Sequence, residues 1–209
     1  MSVQVVPTYK LFDTGFIAGK WRLQHEEAPS TVEWLDHYWQ SRGWESRDVV
    51  LEAVAKLAPT SVLEIGCHVG PMLDRIHERF PEITLHGIDV NQPALDSARQ
   101  RLPGTFTCAD FMSWLPQQPA RSVDVVLSHY TLAYAAPGDI KAVLSQMHRL
   151  ARRGVIIAEP MGPEKIIHSY PEWQHPYPQY LQDLGLVPFQ LYPLVKGELK
   201  LNYVLCLPV

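Results

Sequence analysis

Between residues 60 and 158 the chain alternates short apolar runs with amphipathic segments of helical spacing, and this pattern limits the fold more than any other feature. Strands and helices that alternate in this way predict parallel strands joined by crossover helices. Within this region Asn91 and Asp139 are predicted to cap helices, and Gly154 is predicted to end the second of them. The runs that predict strands are Ser61–Ile65, Thr84–Asp89, Thr105–Cys108, Val123–Ser128 and Val155–Ala158.

The segment before this alternation predicts two helices. A capping box from Ser30 to Glu33 indicates a helix that runs to about Ser41. Ser46 is placed to cap a second helix, which ends near Leu57. We therefore expect an N-terminal arm and helical cap over residues 1–44 and a main domain over residues 45–209.

The segment after residue 159 is rich in Pro, Tyr and His, and it leads into a helix that is predicted to end at Gly185. Two strand-like runs, 187–194 and 199–207, are joined by so short a turn that they must be antiparallel. The expected fold class is α/β: a three-layer Rossmann-like sandwich with a mostly parallel seven-stranded sheet that ends in a C-terminal antiparallel strand pair.

Composition limits the kind of protein. A net charge of −4, with Lys and Arg scattered along the chain, argues against nucleic-acid binding, which needs a clustered basic face. No apolar run is long enough to span a membrane and the first residues do not resemble a secretory signal, so a cytoplasmic protein is expected. Cys67, Cys108 and Cys206 are too scattered for a disulfide framework or a zinc site, so no metal is predicted. The oligomeric state is left open.

The strongest chemical signal is the run from Leu63 to Gly70, a strand that passes through a glycine turn into a helix. Such a turn lets a ligand approach the backbone and points free N–H groups at an anionic group. Asp89 ends the second strand, where a carboxylate can accept hydrogen bonds from ribose hydroxyls. Asp110 follows the third strand and can accept from an adenine amino group, while Phe111 can cover the base. The strand ends share one sheet edge, which predicts a nucleotide-like ligand there.

These residues resemble the motif series of the class I S-adenosylmethionine-dependent methyltransferases over about residues 45–209. The motifs are Glu64-x-Gly66-x-x-x-Gly70, Gly87-x-Asp89, Ala109-Asp110-Phe111 and Asp124–Ser128. The resemblance implies S-adenosylmethionine as cofactor and S-adenosylhomocysteine as product. It further implies that the turn holds the methionine part, Asp89 the ribose, and Asp110 with Phe111 the adenine. The full set of expected cofactor contacts is Glu64, Gly66, Cys67, His68, Gly70, Asp89, Val90, Asp110, Phe111 and Ser128.

One position departs from the family pattern, which often has glycine where this chain has His68. An imidazole there can crowd the amino-acid end of the cofactor, reach toward the acceptor or point to solvent. Asp124, although it lies within a motif, is expected to be a structural or rim residue.

The sequence identifies the residues that act on the acceptor less clearly than those that bind the cofactor. His129 follows the fourth strand and is the first candidate for a base or an orienting group, and His168 and His175 are competitors. Tyrosine and tryptophan give a pocket an apolar wall and a polar tip, which suits a moderately hydrophobic or ring-bearing acceptor, although half of these aromatic residues are expected only to pack the cap. The predicted acceptor pocket is Trp34, Tyr38, Tyr130, Tyr170 and Trp173.

The pattern as a whole predicts metal-independent methyl transfer to an oxygen or nitrogen of a small-molecule acceptor. One alternative is a protein that binds S-adenosylmethionine without transferring the methyl group. Another is a nicotinamide-dependent oxidoreductase, but the turn is not Gly-x-Gly-x-x-Gly and the closing antiparallel strands fit that class poorly.

Overall fold

Five parallel strands form the centre of the protein, with β1 in the middle. The computed structural model describes residues 31–166, 172–196 and 199–206, and side chains within 35–166 and 172–188. The strand order is β3-β2-β1-β4-β5, and the neighbouring strands are parallel, as the alternation predicts. The strands are β1 Ser61–Ile65, β2 Thr84–Asp89, β3 Thr105–Cys108, β4 Val123–His129 and β5 Ala151–Pro160.

Helices connect these strands and cover both faces of the sheet. Asn91 accepts the backbone N–H of Ala94 at 3.0 Å, so its predicted role as a helix cap is confirmed. Helix α2 begins one residue before Ser46 and is not capped by its side chain, contrary to the prediction. The helices up to β5 are α1 Thr31–Gln40, α2 Glu45–Leu57, α3 Pro71–Arg79, α4 Gln92–Arg101, α5 Phe111–Trp114 and α6 Ile140–Leu150.

The core has two parts, one on each side of the sheet. Val62 and Val125 pack with α2, α3 and α4, whereas their neighbours Leu63 and Val126 pack with α6. Successive residues of a strand point to opposite faces, so this division explains why β1 and β4 are buried at almost every position. The α/β Rossmann-like fold is therefore confirmed.

Helix α6 ends earlier than predicted. It stops at Leu150 rather than near Gly154, and β5 begins at once with Ala151 beside Val123. The Arg152 side chain donates to Asp124 at 2.7 Å, which favours the extended conformation over another helical turn. Asp124 also accepts the N–H and the hydroxyl of Thr60, both at 2.7 Å, and its expected structural role is confirmed.

The C-terminal part adds antiparallel pairing, as predicted. β9, Leu199–Cys206, pairs antiparallel with β5 and with β8, Pro188–Lys196, which places the pair beyond β5. Before it, α7 spans Tyr177–Asp183. A short antiparallel pair, β6 Lys165–Ile166 and β7 Trp173–Gln174, was not predicted. Among the described residues, no helix has both the length and the apolar character needed to cross a membrane.

Charged side chains hold α1 and the turn after it against the main domain. Arg42 pairs with Asp74 and Glu78 of α3, the latter at 2.9 Å. In the last turn of α1, the centre of the Trp39 ring lies 4.7 Å from the guanidinium of Arg101 on α4. The cap is thus fixed beside the carboxyl ends of β1 and β2.

Candidate active site

A cavity of about 330 Å³ opens at the carboxyl ends of β1, β2 and β4, the edge where open α/β folds bind ligands. Its size lies within the range of roughly 300–1,000 Å³ that is usual for small-molecule sites. Residues from α1 and α2 complete the wall. Most of the predicted cofactor contacts line the cavity, namely Glu64, Gly66, Cys67, His68, Asp89, Val90 and Phe111.

The turn that leaves β1 has an unusual backbone. Gly66, His68 and Gly70 have φ angles of +67°, +51° and +82°, the left-handed region that favours glycine. A Cβ on Gly66 would lie 2.1 Å from the hydroxyl oxygen of Thr131, so only glycine fits there. Gly70 does not line the cavity; it precedes α3 and packs against Leu102. The turn thereby exposes backbone to a ligand at Gly66 and His68.

The Asp89 carboxylate connects this turn to the end of β2. Its two oxygens accept the backbone N–H of His68 and of Asn91, both at 2.9 Å. Burial raises the pKa of Asp89 to about 6, and these backbone hydrogen bonds act in the opposite direction. An acid held by its neighbours' N–H groups at a cavity wall is well placed to accept a ligand's hydroxyls.

Glu64 and Arg47 both line the cavity, and the charge of Arg47 acts on the Glu64 carboxyl. Glu64 is buried, and its Oε2 atom has no hydrogen-bond partner among the described residues. Burial raises the pKa of Glu64 to about 8, which the positive charge of Arg47 opposes. Arg47 is itself buried and donates to the backbone oxygen and the hydroxyl of Ser41 at 2.8 and 2.7 Å. A buried cation beside an unsatisfied acid suits a ligand that carries both charges.

His129 lines the cavity but lacks the properties of a strong base. Its Nε2 atom lies 3.0 Å from the hydroxyl of Ser46 on α2. Burial and the charge of Arg47 hold the pKa of His129 well below its usual value. The imidazole is therefore neutral at physiological pH and connects β4 to α2.

Ser128 lies outside the cavity, in contrast to the prediction. Its hydroxyl donates to the buried carboxylate of Glu159 on the neighbouring β5. The same carboxylate accepts the N–H groups of Thr131, Leu132 and Ala133 at 2.8, 3.0 and 3.2 Å. Burial raises the pKa of Glu159 to about 7, against the effect of these hydrogen bonds. Ser128 and Glu159 thus shape the loop after β4 rather than contact a ligand.

Aromatic rings and one acid form the remaining wall. The ring centres of Tyr38 and His68 lie 4.2 Å apart, so the imidazole turns into the cavity instead of pointing to solvent. The hydroxyls of Tyr130 and Tyr134 donate to the two carboxylate oxygens of Glu172, at 3.3 and 2.8 Å. Tyr130 has a φ of +56°, a conformation rare for tyrosine.

Several predicted residues lie elsewhere. Asp110 accepts the N–H of Met112 at 2.7 Å and caps α5, and it is not among the residues that line the cavity. Trp173 packs against Ala136 in a small separate core and is not among the residues that line the cavity. His175 is buried and bonds the carbonyl of Ala135 at 3.0 Å. Outside what the structure describes are His168, Tyr170 and the side chain of Trp34.

Arg47, Glu172 and Tyr134 are the site residues that sequence reasoning missed. Arg47 belongs to the first turn of α2, where its spacing is that of an ordinary polar helix residue. Glu172 lies in the aperiodic Pro/Tyr/His-rich stretch. Among the described residues, no group of three or more His, Cys, Asp or Glu side chains is arranged to hold a metal ion.

Comparisons with known proteins agree with this geometry. A family model described as a methyltransferase domain matches residues 62–154. Trans-aconitate 2-methyltransferase of Yersinia pestis is 34% identical over 113 residues, which make up 53% of this chain and 42% of that protein. The match therefore spans less than half the length of that curated relative.

Solved structures show the same fold over nearly the whole chain. The 1,6-didemethyltoxoflavin-N1-methyltransferase of Burkholderia thailandensis, with its acceptor and S-adenosylhomocysteine bound, has a TM-score of 0.73 at 14% identity, over 100% of this chain and 93% of that one. The magnesium protoporphyrin IX methyltransferase of Synechocystis PCC 6803, with S-adenosylmethionine bound, has a TM-score of 0.66 at 16% identity, over 100% of both chains.

The fold and the site define a Rossmann-like methyltransferase domain. Residues 62–154 match a methyltransferase domain, and the resemblance of the motifs to the class I S-adenosylmethionine-dependent methyltransferases is confirmed. The nicotinamide-dependent alternative has no support in these matches.

Proposed function

We propose that the protein transfers the methyl group of S-adenosylmethionine to an oxygen or nitrogen of a small-molecule acceptor. The observation that carries the proposal is the meeting of the glycine turn, Asp89 and Glu64 around one cavity at the carboxyl ends of the strands. The cofactor supplies an electrophilic methyl group on a sulfonium sulfur. The chain's own residues bind, orient and exclude water, which is most of what an in-line displacement requires of a protein.

The residues present fit this cofactor part by part. Asp89 faces the cavity with its oxygens fixed by backbone N–H groups, and it would accept the ribose hydroxyls. Val90 and Phe111 line the same side and would enclose the adenine. The buried guanidinium of Arg47 on α2 would bind the carboxylate of the cofactor's methionine part. The Oε2 atom of Glu64, which has no partner among the described residues, would accept a hydrogen bond from the cofactor's ammonium group.

Support for a small-molecule acceptor comes from the shape and the chemistry of the wall. The cavity is lined by Tyr38, His68, Tyr130 and Tyr134, which give an apolar surface with polar tips. The Burkholderia structural neighbour is named for methylation at N1 of a small molecule, 1,6-didemethyltoxoflavin. In the present protein, His129 serves in the proposal as an orienting group because a neutral imidazole with a lowered pKa is a weak proton acceptor.

The experiment is isothermal titration of the protein with S-adenosylhomocysteine and, separately, with NAD. We expect S-adenosylhomocysteine to bind and NAD to bind at least about a hundredfold more weakly. Release of S-adenosylhomocysteine is then measured with a panel of oxygen and nitrogen acceptors. Equal affinity for the two cofactors would contradict the proposal. Tight binding without product from any acceptor would instead favour the alternative of a protein that binds the cofactor without methylating.

A further inference from the structure

Glu64 on β1 is a buried acid in the wall of the cavity. Only 2% of its surface is exposed, and its Oε2 atom has no hydrogen-bond partner among the described residues. An ionised carboxyl oxygen that meets no donor away from water is costly. Burial accordingly raises the pKa of Glu64 to about 8. In the unliganded protein this residue is therefore a neutral acid at pH 7.

Asp89 lines the same cavity but is held differently. Its oxygens accept the backbone N–H groups of His68 and Asn91, both at 2.9 Å, and such bonds favour the ionised form. The pKa of Asp89 accordingly rises only to about 6, although burial acts on it too. At pH 7 the two acids thus differ in charge: Asp89 is ionised, whereas Glu64 keeps its proton.

The charged and titratable groups around Glu64 do not ionise it in the unliganded protein. Arg47 on α2 is buried, and its positive charge lowers the pKa of Glu64, whereas the charge of Asp89 at the end of β2 raises it. Cys67 in the turn and His129 on β4 are neutral, because burial raises the pKa of the thiol and lowers the pKa of the imidazole. The balance leaves the carboxyl protonated until a ligand supplies further positive charge.

A ligand that carries an ammonium group changes this balance. Such a group brings N–H donors and a positive charge, and each of them favours an ionised carboxyl. In the proposed cofactor site the methionine carboxylate meets Arg47 and the ammonium meets Glu64, so ionised Glu64 makes the four charges alternate in sign. A neutral Glu64 would leave the ammonium without an anionic partner in a largely buried place, which is costly.

On the basis of the proposed function, we propose that Glu64 releases its proton to solvent when the ammonium group of the cofactor docks, and that this residue thereby selects ligands with an α-amino group. The step breaks only the O–H bond of the Glu64 carboxyl. The electron pair of that bond stays on the oxygen, and the proton passes to water or buffer. Because the unliganded protein holds one proton more than the complex, affinity for the cofactor rises with pH up to about pH 8.

The test compares S-adenosylhomocysteine with its analogue that lacks only the amino group and keeps the carboxylate, ribose and adenine. Calorimetric titration at pH 7 in buffers of different ionisation enthalpy counts the protons released on binding. S-adenosylhomocysteine should release about 0.9 proton per site, since Glu64 is protonated to that extent below a pKa of about 8. The analogue should release at most about 0.2 proton, the share that Asp89 can contribute, and should bind at least about tenfold more weakly.

The pH dependence gives a second measurement. The preference for S-adenosylhomocysteine over the analogue should rise about tenfold from pH 6 to pH 7, because one proton leaves with each ammonium that binds. In Glu64→Gln, which has no proton to release in this range, the preference should be smaller and should vary by less than about twofold. His68 lies in the same turn, and a pH dependence that persists in this variant would belong to His68 or another group.

A matched control is Glu82→Gln, which makes the same exchange at an exposed position outside the cavity. This variant should release as many protons as the wild type and show the same rise in preference between pH 6 and pH 7. The comparison separates the buried position of Glu64 from a general effect of removing one acid.

The outcomes distinguish this inference from the proposed function. Wild-type protein that binds S-adenosylhomocysteine without releasing a proton, or that releases as many with the analogue, overturns the inference alone. Undiminished release in Glu64→Gln overturns the role of Glu64. Should that variant fail to fold, the comparison of the two ligands on the wild type still decides. Wild-type protein that does not bind S-adenosylhomocysteine removes the proposed function, and this inference with it.

Discussion

The Asp89 carboxylate accepts the backbone N–H of His68 at 2.9 Å, so the acid that ends β2 holds the turn that leaves β1. Its other oxygen accepts the N–H of Asn91 at the start of α4. One side chain therefore joins two of the strand ends that border the cavity. It also explains how a non-glycine residue is held at a φ of +51° in the turn, because the bond to Asp89 stabilises that conformation.

Replacing Asp89 by Ala should weaken binding of S-adenosylhomocysteine by at least about tenfold, because the ribose hydroxyls lose their charged acceptor. The fragment 5′-methylthioadenosine keeps the ribose but lacks the amino-acid part, and it should weaken by a similar factor. Isothermal titration measures both. Asp96→Ala is the control, since Asp96 is exposed and pairs with Arg99 on the surface of α4. An Asp89→Ala protein with unchanged affinity would remove the assignment.

Arg47→Met should separate the two ends of the cofactor. We expect affinity for S-adenosylhomocysteine to fall by about ten- to a hundredfold, because a buried guanidinium would no longer meet the methionine carboxylate. Affinity for 5′-methylthioadenosine, which has no carboxylate, should stay within about twofold. Arg79→Met is the control, because Arg79 makes a surface pair with Glu52. If both ligands weaken together, Arg47 supports the fold of the site and does not bind the carboxylate.

Ser128→Ala should lower stability without changing cofactor binding. The hydroxyl of Ser128 bonds only inside the protein, to Glu159, and the loss of a buried hydrogen bond to a charged acceptor costs about 1.5–3 kcal/mol. Urea unfolding measures that loss, and titration with S-adenosylhomocysteine should give the wild-type affinity. Ser113→Ala, at an exposed position on α5, should change neither quantity. A large loss of affinity in Ser128→Ala would restore Ser128 to the cofactor site.

The residues that could be predicted are those whose role follows from their place on a strand or at a helix end. Asp89 ends a recognisable strand, and Asn91 stands before a helical pattern, so local sequence determines where each lies. Ser128 and Asp110 satisfy the same rule but are not among the residues that line the cavity. Each side chain finds a nearer partner within the protein: Glu159 for Ser128 and the N–H of Met112 for Asp110. Position along a strand does not reveal that competition.

The missed residues depend on contacts between distant parts of the chain. Arg47 reaches the cavity because α2 packs beside β4, where Ser46 lies next to His129. Glu172 reaches it because the short β6–β7 pair brings the segment after β5 back toward Tyr130 and Tyr134. Neither helical spacing nor strand alternation encodes such packing, so only the folded arrangement shows these two charges.

Glu64→Gln should stabilise the unliganded protein, and only above acidic pH. The folded protein holds the Glu64 proton up to about pH 8, whereas the usual pKa of this group is 4.5, because burial disfavours the charged form. Between these values the unfolded chain binds fewer protons than the folded one, so ionisation of Glu64 lowers stability as pH rises. The variant has no such group; its advantage should be near zero at about pH 4 and on the order of 5 kcal/mol at about pH 9. Urea unfolding across this range measures the difference, with Glu82→Gln at an exposed position as the control. A gain that does not vary with pH would show that Glu64 is not held protonated by burial.

Binding should show the opposite sign, because S-adenosylhomocysteine would lose an anionic partner for its ammonium group and bind the variant more weakly.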